Sequence, residues 1–446
     1  MAGNEETEVK TPQPTPWGGK SKSIVITVFC KEPRVKNSHI ILLLAFLAGT
    51  TGKAQMLNEM FKEDTSLSDL PDKSLRAEID ATAFFRDNEY DSEVQNGYSL
   101  PGVRLTPHIA YNPLSQINIE LGASMLFFNG ANKYPCFAYH DIGTWKGNQY
   151  QRGSHVLPWV RLQASLKHVD VILGNIYGGA NHELIAPLFN PEQNISADPE
   201  MGLQILLHRP HINLDTWLNW QSYIFEEDSH QEAFTVGTNA KILWNSGAIQ
   251  YYSPVQLLIQ HRGGEQDNTN MMVQTICNVS IGAGMRIDRE EGRLNFIDAQ
   301  ANAIACYQQA GELWPFDTGF AWHAGVKAGW FKHLSAGLDY VHSPRQFVSL
   351  YGNPFYNTLS LIDGGTQITE DGSIAGTFKT QYTKMHNVRL GIDYQYTFAK
   401  AYTLGAEAEV FCINGKKKGM PGRLSETCFS FGVYLRVSPS FIIKKF

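Results

Sequence analysis

The chain has 446 residues, 43% of them hydrophobic and 12% aromatic, with a formal net charge of −6. So mild an acidic balance, without a basic block, argues against nucleic acid as a partner. No apolar run reaches the roughly 18–20 residues of a membrane-crossing helix, yet 19 tyrosines and 9 tryptophans suit a chain with aromatic girdles at two membrane interfaces.

Residues 1–34 form a polar extension, and residues 35–54 read as a signal peptide. Arg34 and Lys36 precede the apolar run Ile40–Gly49, and the small residues Gly52 and Ala54 stand where a signal peptidase needs them. Cleavage there makes Gln55 the mature start. Translation from Val35 would give the leader an ordinary length and leave the extension out. Residues 55–73 are a polar lead, expected on the periplasmic side.

From Ser74 to the end, residues 74–446, polar and apolar side chains alternate with period two. The stretches run to about ten residues, the height of a tilted membrane strand. Candidate strands in the first half are Ser74–Asn88, Leu100–Tyr111, Ile117–Phe128, His155–Lys167, Val169–Tyr177, Met201–His208, His211–Phe225 and Glu232–Trp244. The second half offers Ile249–Arg262, Met271–Asp288, Arg293–Gln308, Thr318–Trp330, Leu334–His342, Met385–Phe398, Tyr402–Cys412 and Cys428–Val437. Connections alternate in length. Asn112–Gln116, Arg209–Pro210 and Asn245–Ala248 are short, whereas Ala131–Ser154, Gly178–Glu200, Ser343–Lys384 and Ile413–Thr427 are long. Short turns on one side and long loops on the other predict an all-β, transmembrane, antiparallel up-and-down β-barrel of about 16 strands.

The two faces can be read residue by residue. Val388, Leu390, Ile392, Tyr394, Tyr396 and Phe398 share one face of their strand, against Arg389, Gly391, Asp393, Gln395 and Thr397. The apolar face should meet lipid, with aromatics such as Tyr111, Trp244, Phe85 and Trp220 at the strand ends. By parity the lumen receives Arg76, Arg86, Arg104, Arg161, Lys241, Arg262, Arg286, Lys327, Arg389 and Arg436. Opposed to them are Glu78, Asp80, Glu120, Asp215, Asp339, Asp393, Glu407 and Glu409. Interspersed signs can set a transverse field across a watery pore, or they can pair and brace a closed lumen. Inward glycines, Gly282, Gly284 and Gly391 among them, would lower lumen bulk or let strands bend.

The loop Gly178–Glu200 mixes Leu184, Ile185, Leu188 and Phe189 with Glu183, Glu192 and Asp198. So apolar a loop should be partly buried, either as a constriction in the lumen or against its neighbours. Ser343–Lys384 is richer in Gly, Thr and Asp and reads as exposed.

Motifs for chemistry are missing: the sequence has no G-x-S-x-G elbow, no H-E-x-x-H helix and no phosphate-binding Walker loop. Its histidines are scattered, which points to no metal, no cofactor and no enzyme. Cys277 and Cys306 fall on consecutive strands but on opposite faces, as do Cys412 and Cys428, so free thiols are expected. Oligomeric state leaves no mark on the sequence.

The last strand sets Phe429, Phe431, Val433, Leu435 and Val437 against Ser430, Gly432, Tyr434 and Arg436, and the chain ends on Phe446. It resembles the aromatic-terminated final strand of Gram-negative outer-membrane proteins, although Pro439 interrupts the alternation. The likeness to porin-type barrels covers about residues 74–446, and the cleavage region Lys53–Gln55 is similar to that of Bacteroidetes outer-membrane barrels. The resemblance implies outer-membrane lipid and the barrel-assembly machinery as partners, and passive passage of small hydrophilic solutes. A non-transport export, assembly or adhesion barrel with an occluded lumen is the alternative.

Overall fold

A strand with one apolar and one polar face can be buried in two ways, against a protein core or against lipid. The computed structural model of the chain shows which. It describes residues 60–68, 70–128, 153–223, 231–264, 273–289, 291–309, 314–360, 366–368, 374–376, 380–399 and 401–446. The expected leader, its cleavage site, Cys136 and His140 lie outside the described residues.

In chain order the strands begin with β1 (Ser74–Asp91), β2 (Asn96–Leu114), β3 (Ile117–Phe128), β4 (Gly153–Ser165), β5 (Val169–Asn175) and β6 (Met201–Arg209). Next come β7 (Ile212–Ser222), β8 (Ala233–Leu243), β9 (Ile249–Arg262), β10 (Gln274–Asp288), β11 (Leu294–Gln309), β12 (Thr318–Trp330) and β13 (Leu334–Ser343). A short hairpin, β14 (Thr366–Ile368) and β15 (Ile374–Gly376), precedes β16 (Tyr382–Phe398), β17 (Tyr402–Lys417), β18 (Arg423–Val437) and β19 (Ser440–Lys445). Apart from the hairpin, consecutive strands pair antiparallel, and β1 closes the circle on β18 and β19. With β18 and β19 counted as one broken strand, the barrel has 16 strands.

The break falls at Pro439, which has no N–H to give the ladder. Its carbonyl still accepts from Ile79 N at 3.3 Å, and pairing resumes from Glu78↔Ser440 to Ser74↔Lys445. The Phe446 ring then meets Tyr111 edge-on at 5.8 Å. The terminal aromatic thus sits on the wall, although alternation along the chain stops before it. The connection expected at Ile413–Thr427 also shrinks, because β17 and β18 continue into it and pair up to Lys416↔Arg423.

The faces settle where the barrel sits. Ile281, Leu121, Val156, Trp322, Val326 and Phe429 are each at least half exposed. Inward Gln163, Gln204 and Asn278 are fully buried. A water-soluble protein reverses this order. An outer surface of aliphatic side chains flanked by Trp244, Tyr396 and Phe398 at one end and Phe85, Trp220 and Trp322 at the other belongs in a bilayer.

Three segments fill much of the lumen. Residues 176–200 fold inward through two short helical turns, Gly179–His182 and Gln193–Ser196. Residues 344–360, expected to be exposed, instead bury Phe347, Val348, Leu350, Tyr351, Phe355, Tyr356 and Leu359. Their seat is an apolar patch on the inner wall: Trp217, Leu258, Ile276, Ile304 and Val341 point inward and pack with Ile185, Leu188 and Phe347. Burial of that apolar surface outweighs the Gly and Thr content of the segment. The third segment is the lead. From Met60 on, it packs inside the barrel, where Met60 is buried with Phe84, Leu126, Phe128, Ile195 and Tyr434. Arg436 donates to the Met60 and Lys62 carbonyls, so the backbone itself is gripped.

Candidate functional site

Many of the charged residues read as inward meet one another in three groups of ion pairs. The first joins β1, β13, β16 and β17. Arg86 pairs with Glu407, with Glu409 at 2.6 Å and with Glu192 of the inward loop at 3.2 Å. Arg389 contacts Glu409 at 2.5 Å and Asp339 at 2.8 Å, and His323 Nε2 lies 2.9 Å from Asp339. Buried Asp393 stands beside Arg389. Carboxylates outnumber guanidiniums here, and burial pushes the Glu192 carboxyl up against the pull of Arg86.

The second group lies on β1 to β4 and β18. Arg161 contacts Glu63 of the lead at 2.8 Å and Glu120 at 3.6 Å, and its guanidinium lies 3.9 Å from the Tyr177 ring centre. Trp159 Nε1 donates to Glu120 at 2.9 Å. Arg76 pairs with Glu78 at 2.7 Å, Arg436 with Asp80 at 2.6 Å, and Arg104 donates to the Ala197 carbonyl. Asp198 lies 2.9 Å from His155.

The third group is built on the inward loop. His182 sits between Asp215 at 2.6 Å and Glu200 at 3.2 Å, its ring stacked on Trp217 at 3.5 Å. Burial opposes charge on the imidazole, but the Glu200 and Asp215 carboxylates outweigh it and push the pKa up to about 9. Nearby, Glu183 binds Lys62 at 2.6 Å. Lys241 stands 4.2 Å over the Tyr252 ring, and Arg286 pairs with Asp288 at 2.8 Å and Asp298 at 3.4 Å.

Among the described residues, cavities remain between the inward segments and the wall. One, of about 550 Å³, is lined by Arg76, Glu78, Arg104, Glu120 and Arg161 and reaches Gln221 and Thr235. Another, of about 930 Å³, takes in Lys241, Arg286 and Lys327. At some inward glycines the space is taken by a neighbouring side chain. A Cβ at Gly432 would strike Tyr434, one at Gly284 Tyr252, and one at Gly237 Trp217, so these glycines make room for large side chains lying along the wall.

The sequence presents His182 as a lone, solvated loop residue, whereas it is buried between Asp215 and Glu200, and it does not single out His323, Glu63, Lys62 or Trp217. His323 had a usable signal, its inward parity. Lys62 and Glu63 had none, since a polar lead before the first strand carries no period. Cys277, Cys306, Cys412 and Cys428 are free thiols.

A closed barrel with an apolar exterior and a charged interior defines an outer-membrane β-barrel protein. More narrowly, the chain belongs to the lipid A 3′-O-deacylase-type family, whose model matches residues 63–446. No curated protein matches it. Among solved structures it is similar to OccAB4 of Acinetobacter baumannii, at 7% identity and TM-score 0.44, over 82% of this chain and 98% of that one. Similarity extends to OprD of Pseudomonas aeruginosa, at 8% identity and TM-score 0.44, over 85% and 98%. A BenF-like porin of Pseudomonas fluorescens stands at 8% identity and TM-score 0.44, over 83% and 99%.

Proposed function

We propose that the barrel is a constricted, porin-like channel for passive passage of small hydrophilic solutes. The observation that carries this is the 550 Å³ cavity, whose lining runs from Arg76 and Ser440 at the short-turn end to Gln221 and Thr235 near the loop end. A polar solute in that cavity exchanges water for wall contacts of both signs, whereas an apolar one gains nothing for its desolvation. The inward segments narrow the route, so the size limit is low and the current small. Transport of this kind needs no catalysis and no cofactor. The assembly machinery and outer-membrane lipid are its expected partners.

Single-channel recording of purified, folded protein tests the proposal. Small discrete currents are expected, and Glu120→Gln should shift their selectivity toward anions. Silence from protein shown to be folded by heat-modifiable migration would favour the occluded export or assembly barrel.

The family's description raises a second reading, removal of an acyl chain from an outer-leaflet lipid. What would support it is a pair on the outer face near the loop ends, where His261 Nδ1 lies 3.0 Å from Thr275 Oγ1. His182 and His323 are held by carboxylates inside the lumen, away from bilayer lipid. Fatty-acid release from lipid A that disappears in His261→Ala would replace the channel reading.

A further inference from the structure

The cavity of about 930 Å³ is a blind chamber. Toward the loops its lining stops at Asn353, Tyr356 and Phe411, all three buried. Toward the short turns it reaches Leu243, Arg289 and Lys332, at or just past the ends of β8, β10 and β12. A solute enters such a chamber from the short-turn side and leaves the same way. Its volume is that of a small-molecule site.

Every carboxylate of the lining is already held. Arg286 takes Asp288 and Asp298, Arg389 takes Asp339 and Glu409, and Lys62 takes Glu183. Lys241, Arg289 and Lys332 also line the chamber, and none of them makes an ion pair among the described residues. Lys241 lies over the Tyr252 ring, opposite Asn213 on the neighbouring strand. The side-chain amides of Asn213, Gln250 and Gln300 on the same wall make no hydrogen bond among the described residues. Neither does the buried Tyr356 Oη at the closed end.

Two exposed cations at the mouth and one inside draw an anion inward. A primary amide both donates and accepts, as a hydroxyl does. Three of them around Lys241 therefore suit an anion rich in hydroxyls, whereas an apolar acid would strip their water and replace none of its hydrogen bonds. We propose that the chamber binds a sugar acid from the short-turn side, its carboxylate on Lys241 and its hydroxyls toward the three amides and Tyr356 Oη. The site does not depend on whether the lumen conducts.

Isothermal titration calorimetry on the full folded chain in a neutral maltoside detergent tests it, with sodium D-glucuronate as probe and succinate and D-glucose as references. Glucuronate should bind more tightly than either reference. Lys241→Gln should weaken it about tenfold, the loss of one charge-assisted hydrogen bond. Lys241→Arg should keep it, as should Lys167→Gln, which removes an exposed cation from the β4–β5 turn. Asn213→Leu/Gln300→Leu should bring glucuronate down to the level of succinate. No binding by protein shown to be folded by heat-modifiable migration, or equal loss in Lys167→Gln, would overturn the site. Succinate as tight as glucuronate would overturn the sugar-acid assignment, and glucose as tight would overturn the anionic one.

Discussion

Replacing Arg389 by methionine measures how dry the lumen is. Arg389 is 6% exposed, and its guanidinium donates to Glu409 at 2.7 Å and Asp339 at 2.8 Å. Methionine keeps much of the volume but leaves Glu409 and Asp339 in a cluster that already contains Glu192 and Glu407. Removing one partner of a buried ion pair costs about 3–5 kcal/mol, whereas an exposed pair contributes about 0–1 kcal/mol. Against a total stability of about 5–15 kcal/mol, the first figure is easily measured. Urea unfolding in micelles, followed by heat-modifiable migration and tryptophan fluorescence, should show a loss of about 3 kcal/mol or more. Arg389→Met/Glu409→Gln should recover part of it, with a coupling of about 1 kcal/mol or more, because a stranded carboxylate leaves with its cation. A single-variant loss below about 1 kcal/mol would refute the buried network and imply that water replaces the guanidinium.

Ile392 faces lipid midway along β16, between Ala336 and Ala408. Arginine there should cost roughly 2–4 kcal/mol and leucine little, so equal urea midpoints would contradict the membrane placement. His182 has a folded pKa of about 9, above its ordinary 6.5, so its contribution is complete below about pH 6.5 and is lost as pH rises through 9. Amide hydrogen exchange in residues 178–196, corrected for intrinsic rate, should accelerate across that window and stay flat in His182→Gln. Cys277 points outward and Cys306 is buried inward. A lipid-soluble maleimide should therefore label Cys277 in the folded barrel and reach Cys306 only on unfolding, as mass mapping would show.

Much of this fold is legible in the chain because a strand's face is a local property. Parity alone places Arg76, Glu120, Arg389 and Glu407 inside, and loop length separates the two ends of the barrel. The apolar content of Leu184 to Phe189 marks that loop for burial. What lies beyond such reading is pairing between distant segments. Phe347, Leu350 and Phe355 are apolar enough to have flagged burial, but Gly and Thr around them masked it. Their seat requires knowing that Trp217, Leu258 and Ile304 break the polar face at the same height. Met60 to Glu63 carry no periodicity, and their position follows only from partners such as Arg161, more than ninety residues away.

The plugged barrel depends on the lead threading into the lumen and docking on the inward loop. Lys62 Nζ and Glu183 Oε1, 2.6 Å apart, are close enough for a zero-length carbodiimide to join them as an amide. Treating the folded, membrane-embedded protein and mapping its peptides by mass should give a Lys62–Glu183 crosslink, lost on prior unfolding in urea. A Lys62 that reacts freely with a water-soluble amine reagent and forms no such link would contradict the plugged barrel.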